Sequence, residues 1–117
     1  MCKVVLTCGV FDLFHRGHAE YLRKCARFGD RLVVAIMTDR WVEEFKGRRP
    51  VYDQESRARI VESIKGVSDT LFMDTIDPTA AMEACGCSIF VHGNDWLRPG
   101  EDLDVRLPAR ARLRARQ

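Results

Sequence analysis

The run Arg31–Met37 (RLVVAIM) constrains the fold more than any other stretch of the chain. Its apolar side chains point to both faces of an extended backbone, so both faces need cover. A central strand of a parallel sheet, with helices on either side, meets that need. The neighbouring segments supply matching elements. Residues 3–8 (KVVLTC) form a β-branched run that stops at Gly9. From about residue 17 to 28, Ala19, Leu22, Cys25 and Ala26 recur at helical spacing while Glu20, Arg23, Lys24 and Arg27 lie elsewhere. Gly29 and Asp30 end that helix. The polar stretch 38–52 contains Pro50 and predicts a loop. Asp53 is a cap for a helix with Arg57, Ile60, Val61 and Ile64 on one side, closed by Gly66. A third strand is predicted at 70–73. A helix then opens at Asp77-Pro78, with proline in its first turn, and closes at Gly86. A fourth strand is predicted at 88–92. This alternation predicts an α/β domain with right-handed crossovers and a parallel sheet covered by helices. Ligands of such sheets bind beyond the carboxyl ends of the strands, which points to segments 9–16, 38–52 and 93–99.

Composition excludes several classes. A chain of 117 residues is the size of one domain. No stretch approaches the ~20 apolar residues of a membrane span. Nineteen basic residues against 17 acidic ones leave +2, too balanced for a general nucleic-acid binder. The amino terminus lacks the apolar core and cleavage site of a secretory signal. The five cysteines are odd in number and partly embedded in apolar runs, which fits reduced thiols. The expectation is a cytoplasmic protein with neither nucleic acid nor membrane as partner.

The chemistry concentrates between the first strand and the first helix, in Gly9-Val10-Phe11-Asp12-Leu13-Phe14-His15-Arg16-Gly17-His18. Two histidines flank a glycine at a helix start. Open N–H groups at a helix amino end attract anions, and Gly17 lets a phosphate approach the backbone. No Ser, Thr or Asn stands ready to cap the helix, and Asp12 is the nearest candidate. Two histidines three apart also occur as plain surface residues or as metal ligands. A third ligand at useful spacing is lacking, and the strand–glycine–helix setting favours the anion site. Asp12 reads as a loop tie that accepts backbone N–H bonds.

These residues resemble the GxFDxxHxGH signature of the cytidylyltransferase family of nucleotidyltransferases. The likeness extends from Lys3 to about Trp96. Thr38-Asp39 is similar to the family's (S/T)-T-D element, and Lys46-Gly47-Arg48 to its KG(K/R) loop. Arg57 stands where the family opens its next long helix with arginine. Gly93-Asn94-Asp95-Trp96 looks like the G(D/N)DW loop of the glycerol-3-phosphate cytidylyltransferase branch. The resemblance implies a Rossmann-like three-layer sandwich with a central parallel sheet. It implies transfer of CMP from CTP to a small phosphorylated alcohol such as glycerol 3-phosphate, with release of pyrophosphate. It further implies that His15, His18 and Lys46 are catalytic. Gly9, Val10, Phe11, Gly17, Arg57, Gly93, Asp95 and Trp96 would bind the nucleotide. Magnesium would accompany the triphosphate, with no protein ligand assigned, and the enzyme would be a homodimer. On their own residues, Lys46 and Arg48 read equally as a solvated loop, Arg57 as a helix-surface charge and Trp96 as packing. Cys85 and Cys87 read as buried thiols.

The sequence departs from that branch at its end. The branch's R-T-x-G-I-S-T-T element is missing, and residues 106–117 hold five arginines and no acid. Residues 105–108 read as a remnant of the last strand, and Arg110 as a loose substitute for the motif arginine. The division is a nucleotidyltransferase domain at 1–99 and an atypical Arg-rich tail at 100–117. Such a composition is what a shifted reading frame in GC-rich DNA produces. Absence of I-S-T-T codons from every downstream frame would refute that hypothesis. Three alternatives stand beside CMP transfer. One is an adenylyltransferase acting on a sugar phosphate or FMN. Another is a catalytically silent nucleotide-binding module, favoured by the missing motif. The third is a flavodoxin-like partner-binding domain.

Overall fold

The computed structural model describes residues 3–92 and 104–106. In chain order the elements are β1 (Val4–Gly9), α1 (Arg16–Ala26), β2 (Arg31–Met37), α2 (Asp39–Lys46), α3 (Gln54–Glu62), β3 (Asp69–Met73), α4 (Thr79–Cys85), β4 (Ile89–His92) and β5 (Asp104–Arg106). They form one sheet in the order β3-β2-β1-β4-β5. The first four strands run parallel, and β5 pairs antiparallel with β4 at the edge. This is the α/β Rossmann-like architecture expected. Its last strand lies close to the predicted remnant, beginning at Asp104.

The β2 run explains the layering. Leu32, Val34 and Ile36 join Leu22 and Cys25 of α1 and Ala58 and Val61 of α3 in one core. Val33, Ala35 and Met37 join Val42 of α2 and Ala81 and Met82 of α4 in the other. Alternation along one strand therefore feeds two cores, one on each face. Burying each large aliphatic side chain contributes roughly 1.5–3 kcal/mol. Gly29 allows the close return from α1, because a Cβ there would lie 2.6 Å from the carbonyl oxygen of Lys3.

One expectation is corrected. Stretch 38–52 is not a continuous loop, since α2 occupies residues 39–46. Proline disturbs only the residue before it and the turn behind it. The helix has already ended at Gly47, whose left-handed φ of 74° closes it ahead of Pro50. Thr38 caps the start by accepting the N–H of Trp41 at 3.2 Å. Val42 is buried and Trp41 packs against the same core, giving this short helix its inward face, while Phe45, stacked on Trp41 at 5.1 Å, is exposed. Among the described residues no helix is long and apolar enough to cross a membrane.

Candidate active site

The β1–α1 loop emerges at the carboxyl ends of the strands, and its two histidines organise the start of α1. His15 is the N-cap. Its Nδ1 accepts the N–H of Gly17 at 2.9 Å. Its own N–H donates to Nδ1 of His18 at 3.1 Å. The pair thus makes a reciprocal capping box, a task usually given to Ser or Thr with Glu. The cap is therefore His15 and not Asp12, the nearest candidate by residue type where no Ser, Thr or Asn precedes the helix. The arrangement has a chemical consequence. A ring nitrogen that accepts a backbone N–H carries no proton, so each neutral ring bears its proton on Nε2. The rings lie 4.1 Å apart between centroids.

Two glycines make room for these rings. A Cβ on Gly17 would lie 2.7 Å from Cε1 of His15. The Cβ position of Gly17 is therefore occupied by the His15 ring. A Cβ on Gly9 would lie 2.9 Å from the Phe11 ring. Phe11 meets His18 edge-on at 5.7 Å, and Phe14 lies 5.2 Å from the same imidazole. His18 is thereby held from three sides, by two aromatic rings and by its bond from the His15 backbone.

Asp12 ties this loop to the segment after α2. Its carboxylate accepts the N–H groups of Val51 at 2.7 Å and Tyr52 at 2.9 Å, as the loop-tie reading expected. Burial raises the Asp12 pKa. The N–H bonds from Tyr52, Val51 and Leu13, with the Arg57 charge, oppose burial and hold it below the usual carboxylate range. The neighbours on either side, Phe11 (φ 54°) and Leu13 (φ 49°), are left-handed. Such residues cost of order 1–3 kcal/mol each and persist where surrounding contacts fix them. Here the Asp12 tie and the Phe11 packing supply those contacts.

Arg57 sits beneath the loop with no exposed surface. Its Nε donates to the Tyr52 carbonyl at 2.9 Å. One terminal nitrogen donates to the carbonyls of Val10 and Met37, both at 2.8 Å. The other pairs with Asp39 at 2.7 Å. Four of its five N–H groups are thus engaged by the ends of β1 and β2, by the α2–α3 connection and by the first residue of α2. Asp39 and Gln54, which the sequence reading did not single out as site residues, complete this support, since Gln54 accepts the N–H of Asp39 at 3.0 Å. The available signal for Asp39 was the Thr38-Asp39 likeness directly after β2.

Gly9, Val10, Phe11, His15, Gly17 and His18 therefore share the junction from the end of β1 to the first turn of α1, joined to Arg57 through the Val10 carbonyl. Lys46 is exposed on the last turn of α2. Gly93, Asp95 and Trp96 lie outside the described residues. Among the described residues no group of three or more His, Cys, Asp or Glu could hold a metal ion.

The sequence profile of the cytidylyltransferase-like family matches residues 6–110. The bifunctional protein HldE of Koribacter versatilis is 40% identical over 99 residues, covering 84% of this chain and 20% of that one. The bifunctional protein HldE of Gluconobacter oxydans is 43% identical over 95 residues, covering 80% of this chain and 20% of that one. The chain thus spans about a fifth of the length of the curated relatives it matches. The crystal structure of the lipopolysaccharide core biosynthesis protein from Thermoplasma volcanium GSS1 superposes with a TM-score of 0.75 at 26% identity, covering 99% of this chain and 86% of that one. With the sheet, the histidine loop and these matches in agreement, the chain belongs to the cytidylyltransferase-like family of nucleotidyltransferases.

Proposed function

We propose that this chain catalyses nucleotidyl transfer to a sugar phosphate, with ATP as the donor. The observation that carries the reaction class is the mutual capping of His15 and His18, which puts a proton on Nε2 of each ring at a strand–helix junction. Support for a sugar phosphate acceptor comes from the likeness to a lipopolysaccharide core biosynthesis protein, because that core is carbohydrate. The HldE likenesses favour the adenylyl reading over CMP transfer to glycerol 3-phosphate. The feature that pointed to CTP, the loop from Gly93 to Trp96, lies outside the described residues.

In this reaction an oxygen of the acceptor's phosphate attacks the α-phosphorus of the nucleotide. The bond from that phosphorus to the bridging oxygen breaks, and pyrophosphate leaves with the electron pair. The acceptor is already a dianion near neutral pH and needs no general base. Negative charge spreads over the equatorial oxygens, where donors placed in advance contribute most. His15 and His18 supply Nε2–H donors, and Lys46 supplies a mobile positive charge. Arg57 acts as a positioning residue through Val10 and Tyr52. Magnesium would neutralise part of the triphosphate charge. Among the described residues, the Asp12 carboxylate is engaged by two backbone N–H groups and that of Asp39 by Arg57. The phosphates and water would therefore hold the ion.

Thermal shift with ATP and with CTP, followed by pyrophosphate release with sugar phosphates and glycerol 3-phosphate, tests the reading. Stabilisation by ATP and turnover only with a sugar phosphate are expected. Selective stabilisation by CTP with turnover on glycerol 3-phosphate would overturn it. The missing I-S-T-T element favours one second reading, a nucleotide-binding module without turnover. Saturable binding with no pyrophosphate release identifies that case.

A further inference from the structure

At the amino ends of the strands, away from the histidine loop, α4 turns into β4 through Cys85-Gly86-Cys87. Gly86 is left-handed at φ 63°, and its N–H reaches the carbonyl of Met82. The N–H of Cys87 reaches the same carbonyl at 3.2 Å. This one-residue turn sets the two cysteines on either side of Gly86, at the end of α4 and just ahead of β4. As a neutral thiol Cys85 also donates to the Met82 carbonyl at 3.8 Å. The two sulfurs differ in access. Cys87 is 2% exposed in the core with Met82 and Phe90, whereas Cys85 is half-buried. Gly86 is exposed, and among the described residues no atom lies within 4 Å of a Cβ built on it.

We propose that Cys85 and Cys87 form a dithiol site that low-molecular-weight disulfides of the glutathione class convert to an intrachain disulfide, with Cys85 as the attacking sulfur. The Cys85 thiolate attacks one sulfur of the reagent. A mixed disulfide forms, the reagent's S–S bond breaks, and one thiolate leaves. Cys87 then loses its proton, its sulfur attacks the Cys85 sulfur, and the second thiolate leaves. The two cysteines give up two electrons and two protons, which the reagent carries away as two thiols.

The local chemistry supports this assignment of roles. The neighbouring Cys87 thiol has the largest influence on Cys85 and outweighs partial burial, bringing its pKa down to about 7. A helix carboxyl end disfavours negative charge, so the influence of Cys87 works against the dipole of α4. Burial pushes Cys8 and Cys25 the other way, up to about 11. Reactivity toward disulfides follows thiolate content and access, and Cys85 leads these two thiols in both.

The test is intact-mass and peptide analysis of the full chain after exposure to glutathione disulfide at neutral pH. The wild-type chain should lose two hydrogens from the tryptic peptide that carries both cysteines. Cys87→Ser should stop at one glutathionyl group on Cys85. Cys85→Ser should form neither product at this turn. Circular dichroism of each variant confirms that it is folded. The proposal is overturned if the wild-type peptide keeps both thiols while a small-molecule thiol in the same solution is consumed. It is also overturned if the Cys87→Ser adduct maps to Cys8 or Cys25.

Discussion

His15 donates its backbone N–H to Nδ1 of His18 at 3.1 Å, while its own Nδ1 accepts the N–H of Gly17 at 2.9 Å. One pair of side chains thus closes the helix end and sets which nitrogen of each neutral ring carries the proton. Cap and chemistry should separate by mutation. His15→Asn keeps a good N-cap and removes the ring, so its Tm should stay close to wild type while kcat falls by about 10²–10³. His15→Ala should lose that activity and also about 1 kcal/mol of stability. Equal melting of the two variants would show that His15 does not cap α1 in solution. Nitrogen-15 spectra at neutral pH should find Nε2 protonated and Nδ1 bare in both rings.

Gly17→Ala tests the room made for that ring. Alanine raises intrinsic helix propensity by ~1 kcal/mol over glycine. Its Cβ would stand 2.7 Å from the His15 ring, which must then swing away. Turnover should drop at least ~10-fold with little change in Tm, because small displacements of a catalytic group are costly. Unchanged kcat would mean that the ring position seen here is unimportant to the reaction.

Asp12 gives a pH dependence of known sign. Its folded pKa lies below the ordinary carboxylate value, so its ionised form stabilises the fold. That contribution is complete above the unfolded carboxylate pKa and is lost as pH falls through the lower, folded value. Asp12→Asn should therefore be less stable than wild type near pH 7, by roughly 1–2 kcal/mol for two charge-assisted bonds in a partly solvated loop. The gap should narrow on acidification below about pH 4. Urea midpoints measured across that range check it, and a constant gap would contradict the tie to Val51 and Tyr52.

Arg57→Ala removes a buried cation and leaves the carbonyls of Val10, Met37 and Tyr52 and the carboxylate of Asp39 without their donor. A loss of about 3–5 kcal/mol is expected by urea denaturation, the usual result of breaking a buried pair. Arg57→Lys should recover only part of it, since an ammonium cannot reproduce the planar fork. Full recovery by lysine would mean that charge alone matters at this position.

The layering of the fold was legible along the chain. The alternation of Leu32, Val34 and Ile36 with Val33, Ala35 and Met37 requires cover on both faces, and helical spacing at Leu22 and Cys25 supplies part of it. The Gly9–His18 segment was also legible, because its order of residue types survives without knowledge of contacts. Helix α2 was not, since Pro50 outweighed the local signals of Thr38 and Gly47 in a reading that could not see where the helix stops. Arg57 was placed with the nucleotide-binding residues, whereas its partners Val10 and Met37 lie 47 and 20 residues away in sequence. Side-chain periodicity is a one-dimensional property, so the residues alone determined which faces are apolar and where the histidine-bearing segment begins. Only the folded chain decided that His15 and His18 cap each other, that Gly17 yields its space to a ring and that Arg57 is enclosed. Those outcomes depend on distances between backbone groups that meet only after the strands have paired.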